Sequence, residues 1–219
     1  YAGFVVEQVK EWQNGLARLP MVTLDESSDY CLLYDYRKGV NQAIQYLLAL
    51  GHCNIRVISG PVKFKVHFEA QQAMIDGAKE FSLDFDQERD LIELDMFSDN
   101  QSSINTAVTY FRKMFLEEKL PSALICSEIR IARAAVFAAM ENNLLVPNDL
   151  SIIVISASWE ASGTCPPLSS IERDSELMLS RGIGLLSRLM RGQKLQPTEI
   201  NIPAKLETRN STIINKKRS

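Results

Sequence analysis

The most constraining feature of this sequence is a regular alternation between short apolar runs and longer amphipathic stretches. The runs at residues 55–59, 123–126 and 150–155 have the length and apolar content of buried strands. Between them lie stretches of about ten to fifteen residues whose apolar side chains repeat with a helical period. Strands separated by such helices form right-handed βαβ units with parallel strands. The sequence therefore predicts an α/β fold of parallel sheets flanked by helices.

The clearest helical pattern covers residues 36–50. Val40, Ile44 and Leu47 fall on one face, and Gly51 follows as a C-terminal cap. The last long helix is marked by a second apolar set and ends near Gly192; the set consists of Leu179, Ile183, Leu186 and Met190. Further elements are predicted as strands at residues 2–6, 21–24, 31–34 and 91–94, helices around 7–17, 69–81, 104–115 and 132–140, and two short closing strands at 199–202 and 206–208.

Charge and composition limit the classes of function. The 219 residues carry a net charge of -3, whereas a chain that binds nucleic acid by itself usually carries a basic surplus. We therefore expect no sequence-specific DNA binding by this chain alone, and we interpret the basic residues 216–218 as a solvated tail. The four cysteines stand far apart, and three lie in or beside apolar runs, which favours buried, reduced thiols. No apolar run approaches the ~18 residues of a membrane span, and no signal peptide opens the chain, so we expect a cytoplasmic protein.

A search for catalytic signatures finds little. The chain has two histidines, and neither His52 nor His67 has a nucleophile elbow beside it. We expect a structural role for His52 at a helix–strand corner and an exposed loop position for His67. Glycine-rich phosphate-binding loops are absent, and the carboxylates show no metal-ligand spacing. The sequence therefore predicts a protein that is not an enzyme and that has no cofactor, no metal and no catalytic residue.

The loops that follow the predicted strands are the best candidates for a binding site, because ligands of open α/β folds bind outside the carboxyl ends of parallel strands. These loops contain Asp35 and Tyr36, residues 62–68 and 95–97, Ser127 and Glu128, and residues 156–159. A structural alternative exists for each. Asp35 and Ser127 would cap helices, Phe97 would belong to the core, and Trp159 would be a packed loop aromatic. As a group, these residues predict a binding cleft.

Several segments match a known pattern in order and spacing over almost the whole chain. They are residues 35–39 (DYRKG) with 46–52 (YLLALGH) and 55–61 (IRVISGP), then 120–126 (LPSALIC), 146–153 (VPNDLSII), 166–171 (PPLSSI) and 202–212 (IPAKLETRNST). Together they resemble the effector-binding core of the LacI/GalR family of bacterial transcription regulators.

The resemblance implies a two-lobed core of the periplasmic-binding-protein-like type I fold, with a small effector in the cleft between the lobes. Residues 1–34 and 172–192 would form an N-terminal lobe that is incomplete in this chain, and residues 35–171 and 193–219 a C-terminal lobe. Family members also carry a DNA-binding headpiece, which this chain lacks, so operator DNA would be bound only through such a headpiece. The resemblance further implies a homodimer.

The carried-over effector site shows matches and departures. Asp35 and Phe97 match the family pattern, and Tyr36 follows Asp35. The family usually has Arg where this chain has Met74, Asn-Asp where it has Glu128-Ile129, and an acidic Gly-Tyr/Phe-Asp-Asp run at residues 154–157, where this chain has Val-Ile-Ser-Ala. The resemblance thus implies effector contacts from the following residues: Asp35, Tyr36, Met74, Phe97, Glu128 and Ser156.

The sequence as a whole indicates the effector-binding and dimerisation core of a LacI-type repressor. An effector would favour one orientation of the lobes and so change the spacing of paired headpieces. Because Met74 and Ser156 replace charged residues that bind sugar hydroxyls, simple neutral sugars should bind weakly. Three alternatives stay open: a solute-binding protein of a transporter, an α/β enzyme, and a core that has lost its effector and serves only for dimerisation.

Overall fold

The computed structural model describes residues 19–96, 100–116 and 120–215. Within these ranges no helix is long and apolar enough to cross a membrane. The elements follow one another in the order β1 (Thr23–Leu24), β2 (Tyr30–Asp35), α1 (Tyr36–Ala49), β3 (Ile55–Ser59), α2 (Lys65–Glu80), α3 (Gln87–Asp90), β4 (Leu91–Glu93), α4 (Asn100–Met114), β5 (Ala123–Cys126), α5 (Ile129–Glu141), β6 (Ser151–Ser156), α6 (Ser158–Ser162), β7 (Ser169–Arg173), α7 (Ser175–Met190) and β8 (Thr198–Glu207).

The described strands pair in the order β1-β2-β8-β7-β6-β5-β3-β4. The pairings are parallel, except that β7 and β8 are antiparallel. Helices α1, α2, α4, α5 and α7 cover the strands, as expected where a helix separates successive parallel strands. The predicted α/β class with mostly parallel strands is confirmed.

Strand β8 joins two groups of strands. Its residues 198–203 run parallel to β2, and its residues 204–207 run antiparallel to β7. Asp35, at the carboxyl end of β2, is opposite Pro203, and Arg173, at the carboxyl end of β7, is opposite Ala204. The carboxyl ends of the two groups therefore meet at the middle of β8, at the Pro203–Ala204 junction.

The prediction of two short closing strands is wrong, because residues 198–207 form one strand of ten residues. The apparent break in the sequence lies around Pro203, which has no N–H to donate to a neighbouring strand. In the structure this position is where β8 changes its partner from β2 to β7. The proline therefore marks an exchange of partners within a continuous strand.

The core consists of two apolar clusters on opposite faces of the strands. Ile58 and Leu124 point into the cluster that contains α4 and α5. Their neighbours Val57 and Ile125 point into the other cluster, which contains α1, α2 and side chains of α7. Successive side chains of a strand point to opposite faces, so both faces of β3 and β5 are buried. This explains why these strands appear in the sequence as continuous apolar runs.

Helix α7 forms where the sequence predicts it, but it packs through a different face from the apolar set that marks it. Met178, Gly182 and Leu185 are buried. Leu179 and Ile183 are 48% and 67% exposed, although they belong to the set from which the helix was predicted. The helix carries apolar residues on both faces, so helical periodicity alone did not reveal which face packs.

Two predictions about exposure are wrong. Helix α2 begins at Lys65, so His67 lies in its first turn and is 5% exposed instead of occupying an exposed loop. Two of the four cysteines are buried where three were expected; Cys31 and Cys126 are buried, Cys53 and Cys165 are exposed, and all four are free thiols. For His67, the start of α2 at Lys65 decides the burial, and a sequence pattern does not fix where a helix begins.

Candidate ligand-binding site

The Pro203–Ala204 junction is where the fold places its candidate ligand-binding site. The carboxyl ends of β2 and β7 meet there, and such ends are where open α/β sheets bind ligands. A cavity of about 400 Å³ lies beside the junction. It is lined by residues 157–159, 172–177, 203, 205 and 207, which come from the carboxyl ends of β6 and β7, the start of α7 and the second half of β8.

A buried polar cluster holds four elements together near this junction. Tyr36, at the start of α1, is 1% exposed, and its hydroxyl donates to Asp25 Oδ2 at 2.5 Å. Asp25 directly follows β1, and the ammonium group of Lys65, at the start of α2, lies 4.0 Å from its Oδ1. The guanidinium of Arg173, at the end of β7, interacts electrostatically with the Tyr36 side chain. The cluster therefore ties both groups of strands together through side chains.

Burial sets the charges within this cluster. It raises the pKa of Asp25, and the hydrogen bond from Tyr36 and the charge of Lys65 only partly oppose this rise. Burial and the neighbouring Asp25 carboxylate raise the pKa of Tyr36 well above its ordinary value, so its hydroxyl stays a donor. Burial lowers the pKa of Arg173, but nearby Tyr36, Tyr34 and Asp25 more than offset this, and the net shift is upward. The cluster thus keeps a guanidinium cation at the junction.

The backbone of Asp25 is adapted to this role. Its φ of 61° lies in the left-handed region, which aspartate tolerates better than most residues. Its amide donates to Leu32 O at 2.7 Å, and its Oδ1 accepts from the Tyr34 amide at 3.3 Å. These bonds anchor the residue to β2 and aim its carboxylate at Tyr36.

Glu128 lies on the same edge of the sheet, two residues beyond β5. Its Oε2 accepts from Arg130 Nη2 at 3.0 Å, whereas its Oε1 is buried without a hydrogen-bond partner among the described residues. A buried acceptor without a donor costs about 1–3 kcal/mol. Glu128 is therefore suited to receive a hydrogen bond from a ligand.

Ser127, His67 and Gly60 form a buried contact behind Glu128. The Ser127 hydroxyl oxygen lies 2.7 Å from His67 Nδ1 and accepts from the Gly60 amide at 3.3 Å, so it does not cap α5. Burial and the positive charge of Arg130 lower the pKa of His67 to about 4, which keeps the ring neutral. The contact fixes the start of α2 against the carboxyl ends of β3 and β5.

Two predicted site residues have their polar groups bonded within the protein. Asp35 caps α1, because its Oδ1 accepts from the Lys38 amide at 3.0 Å, as the structural alternative predicts. Ser156 is 1% exposed, and its hydroxyl donates to Glu160 Oε2 at 2.9 Å. Ser156 pairs with Glu172 of β7, so it lies on the same sheet edge as the cavity.

Of the other two predicted residues, Met74 gives no exposed contact surface. Met74 is 1% exposed and packs in the core cluster of α1 and α2. Phe97 lies outside the described residues. None of the predicted site residues within the described ranges lines the 400 Å³ cavity. Their role as effector contacts stays a prediction.

The sequence reasoning missed several residues that form the site. Asp25 and Arg173 were not singled out, although both lie at carboxyl ends of strands and the same topological rule would have found them. Arg209 also contributes: its guanidinium pairs with Glu172 and donates to Ser158 Oγ at 3.1 Å, which closes the wall behind the cavity. Trp159 is 74% exposed at the rim, so the structural alternative of a packed loop aromatic is wrong.

Comparison with known families identifies the class of domain. Residues 44–212 match the family described as periplasmic binding protein-like domain. The match covers more than half of the chain, which therefore belongs to this family. The architecture agrees, since two groups of parallel strands meet with their carboxyl ends at a shared strand.

Named relatives narrow the class. The lactose operon repressor of Escherichia coli (strain K12) is 22% identical, over 97% of this chain and 59% of that protein. The HTH-type transcriptional repressor PurR of Actinobacillus pleuropneumoniae serotype 3 (strain JL03) is 26% identical, over 90% of this chain and 58% of that protein. The chain thus spans less than two thirds of the length of these relatives.

A solved structure shows the same fold. The dimeric lac repressor with an 11-residue C-terminal deletion superimposes with a TM-score of 0.82 at 20% identity, over 95% of this chain and 74% of that one. Together with the repressors named above, this confirms the recognition of a LacI/GalR-type effector-binding core.

Proposed function

We propose that this chain is the effector-binding and dimerisation core of a LacI-type DNA-binding transcriptional repressor. The observation that carries the proposal is the meeting of β2 and β7 at the Pro203–Ala204 junction, beside a cavity of about 400 Å³. The relatives are transcription repressors, which supports this function over that of a transporter's solute-binding protein. Operator binding would belong to a headpiece outside this chain, and the dimeric form of the lac repressor supports a homodimer.

The proposal includes two lobes that meet at this junction. The predicted divisions after residues 34 and 171 remain part of it. The third division, where the chain passes from the N-terminal lobe back to the C-terminal lobe, was predicted at residue 193. Because residues 198–203 pair with β2, we propose that this division lies at the Pro203–Ala204 junction instead. A ligand that contacts residues of both groups of strands would favour one of their relative orientations, and its differential affinity would set the size of the response.

The polar groups along the carboxyl edge of the sheet support a ligand that is rich in hydrogen-bond donors. Glu128 Oε1 is a buried acceptor without a partner among the described residues. Met74 and Ser156 carry no charge; Met74 is also buried, and the Ser156 hydroxyl already donates to Glu160, so neither is available to sugar hydroxyls. We therefore infer that an amine or another donor-bearing, partly apolar molecule fits better than a neutral hexose, whose dissociation constant should be no better than about 1 mM.

Calorimetry against pentoses, hexoses, their phosphates, nucleosides and amines tests this function. A donor-bearing ligand should bind, and Glu128→Gln should weaken it about tenfold, because one charge-assisted hydrogen bond becomes neutral. Glu141→Gln is the control, since Glu141 pairs with Arg112 on the outside of α4 and α5. Micromolar binding of an unmodified pentose or hexose would contradict the proposed ligand chemistry. If no compound of the panel binds, the result favours the alternative of a core that has lost its effector and serves only for dimerisation.

A further inference from the structure

A second cavity, of about 390 Å³, lies at the end of the sheet opposite the junction. Its walls are residues 51–54, 120–122 and 147–149, which precede β3, β5 and β6, together with residues 213–215. Strands β5 and β6 have four and six residues. At about 3.3 Å per residue, they separate this cavity from the carboxyl edge by roughly 13–20 Å. The amino-end cavity is therefore distinct from the candidate ligand-binding site.

Hydrogen bonds between the loops fix the shape of this amino-end cavity. Asn54 Nδ2 donates to Leu120 O at 3.1 Å, and the Ser122 hydroxyl donates to Asn54 O at 3.0 Å. Asn215 Nδ2 donates to Gly51 O at 3.2 Å, which attaches the C-terminal segment to the end of α1. Most polar groups of the wall are thus used within the protein, and the wall is held in place before any ligand binds.

His52 is the exception. It lines the cavity and is 3% exposed. Its Nε2 lies 2.9 Å from Ile213 O, a carbonyl that only accepts, so this nitrogen carries the proton. Burial lowers the pKa of His52, which keeps the ring neutral and leaves Nδ1 as an acceptor. Nδ1 is buried and has no hydrogen-bond partner among the described residues.

The remaining wall selects against anions and sugars. Pro121, Pro147 and Ile214 supply apolar surface. The carboxylate of the wall, Asp149, already accepts from the Leu145 amide at 2.9 Å, and no lysine or arginine belongs to the described lining. An anion would find no counter-charge there, and a sugar would leave most of its hydroxyls unpaired.

We propose that the amino-end cavity binds a small, uncharged ring compound that is mostly apolar and carries one N–H or O–H donor for His52 Nδ1. Phenol and indole represent this class. A volume of 390 Å³ lies within the range of small-molecule pockets, about 300–1,000 Å³, which are mostly apolar with a few placed polar groups. This site does not depend on the function proposed for the junction.

Cys53 provides a position-specific readout, because its thiol is exposed and belongs to the wall of this cavity. Indole or phenol should slow the alkylation of Cys53 by N-ethylmaleimide, followed by peptide mass spectrometry. At ten times the dissociation constant the rate should fall about tenfold. Cys165 is also exposed but lies outside this wall, and its rate should not change. Equal slowing of both cysteines, or no slowing of Cys53, would overturn the proposal.

The role of Nδ1 is tested by His52→Gln, which keeps an amide N–H for Ile213 O and removes the ring acceptor. Indole should bind this variant about five- to tenfold more weakly, the value of one neutral hydrogen bond. In the wild-type chain, benzene should bind weaker than phenol by the same factor. This second comparison decides the question if His52→Gln does not fold. Equal affinity of phenol and benzene for the wild-type chain would show that Nδ1 plays no part.

Discussion

Burial of single side chains sets their protonation states along the carboxyl edge of the sheet. His67 is the clearest case: its ring packs so close to Gly60 that a Cβ there would lie 2.6 Å from Nε2. Water cannot solvate a protonated ring at this buried position, and the nearby positive charge of Arg130 also opposes protonation. The folded state therefore favours the neutral form of His67.

We predict that His67 makes the chain lose stability in mild acid. Its folded pKa of about 4 lies below the unfolded value of 6.5, so the unfolded state takes up the proton first. The stability that it contributes is present above pH 6.5 and is lost as the pH falls towards 4. His67→Asn keeps a side-chain nitrogen or oxygen near Ser127 and removes this titration. Relative to the variant, the wild-type chain should lose about 2–3 kcal/mol between pH 7.5 and pH 4.5.

Urea unfolding at the two pH values measures this difference, and the carboxylates that titrate in both proteins cancel. If the free energies of unfolding of the wild-type chain and His67→Asn differ by the same amount at both pH values, the neutral, buried ring is contradicted.

The sequence identified residues at strand ends better than it identified their exposure. Glu128 and Tyr36 were singled out by the topological rule, and the structure places both near the carboxyl edge. Met74 was placed on a cleft wall by resemblance, but it packs in the core. Whether a side chain on an amphipathic helix faces the core or a cleft depends on how far the neighbouring helix extends over it, and this is a tertiary property.

At the scale of elements, helix α1 rests directly on the junction. Gly39 allows this close approach: a Cβ at its position would lie 2.4 Å from Ile171 Cγ2 and 3.2 Å from Ala204 Cβ. Ile171 and Ala204 are themselves buried in β7 and β8. The absence of one methyl group thus lets α1 bridge the two strands at the point where β8 changes partner.

We expect Gly39→Ala to destabilise the fold by about 1–3 kcal/mol, because an added methyl overpacks a buried contact that has no flexible end. Gly184→Ala in α7 is the matched control, since nothing lies within 4 Å of its added Cβ. The control should stabilise the protein by about 0.5–1 kcal/mol through helix propensity alone. Thermal or chemical unfolding of the two variants separates these effects, and a neutral Gly39→Ala would argue against tight packing at the junction.

Helices and central strands were predictable because their periodicity is local. The end of α1 at Gly51 is such a case, and its φ of 85° is the left-handed turn expected of a cap glycine. The continuity of β8 and the packed face of α7 were not predictable. Both depend on which partners lie alongside, and the partners of β8 are β2, more than 160 residues away, and β7.

At the scale of the whole molecule, we predict that the chain self-associates as a symmetric dimer. The prediction follows from the proposed repressor core, since two-fold operators need two-fold proteins. Sedimentation velocity at tens of micromolar measures it. Ile183→Lys serves as a control. It places a charge on the exposed apolar face of α7 and so suppresses non-specific hydrophobic association through that face. A dimer that persists in this variant supports the prediction, and a clean monomer of the wild-type chain contradicts it.

The place of β8 in the chain also determines when the two groups of strands become one unit during synthesis. The hydrogen bond from the Tyr30 hydroxyl to Leu195 O spans 165 residues, and β8 begins three residues later. On the ribosome, β2 and β7 both emerge before the strand that they share, and each has an open edge until it arrives. Contacts of such long range form slowly, since the intervening loop must close first. Nascent chains that end before β8, which begins at Thr198, should therefore expose these edges to chaperones.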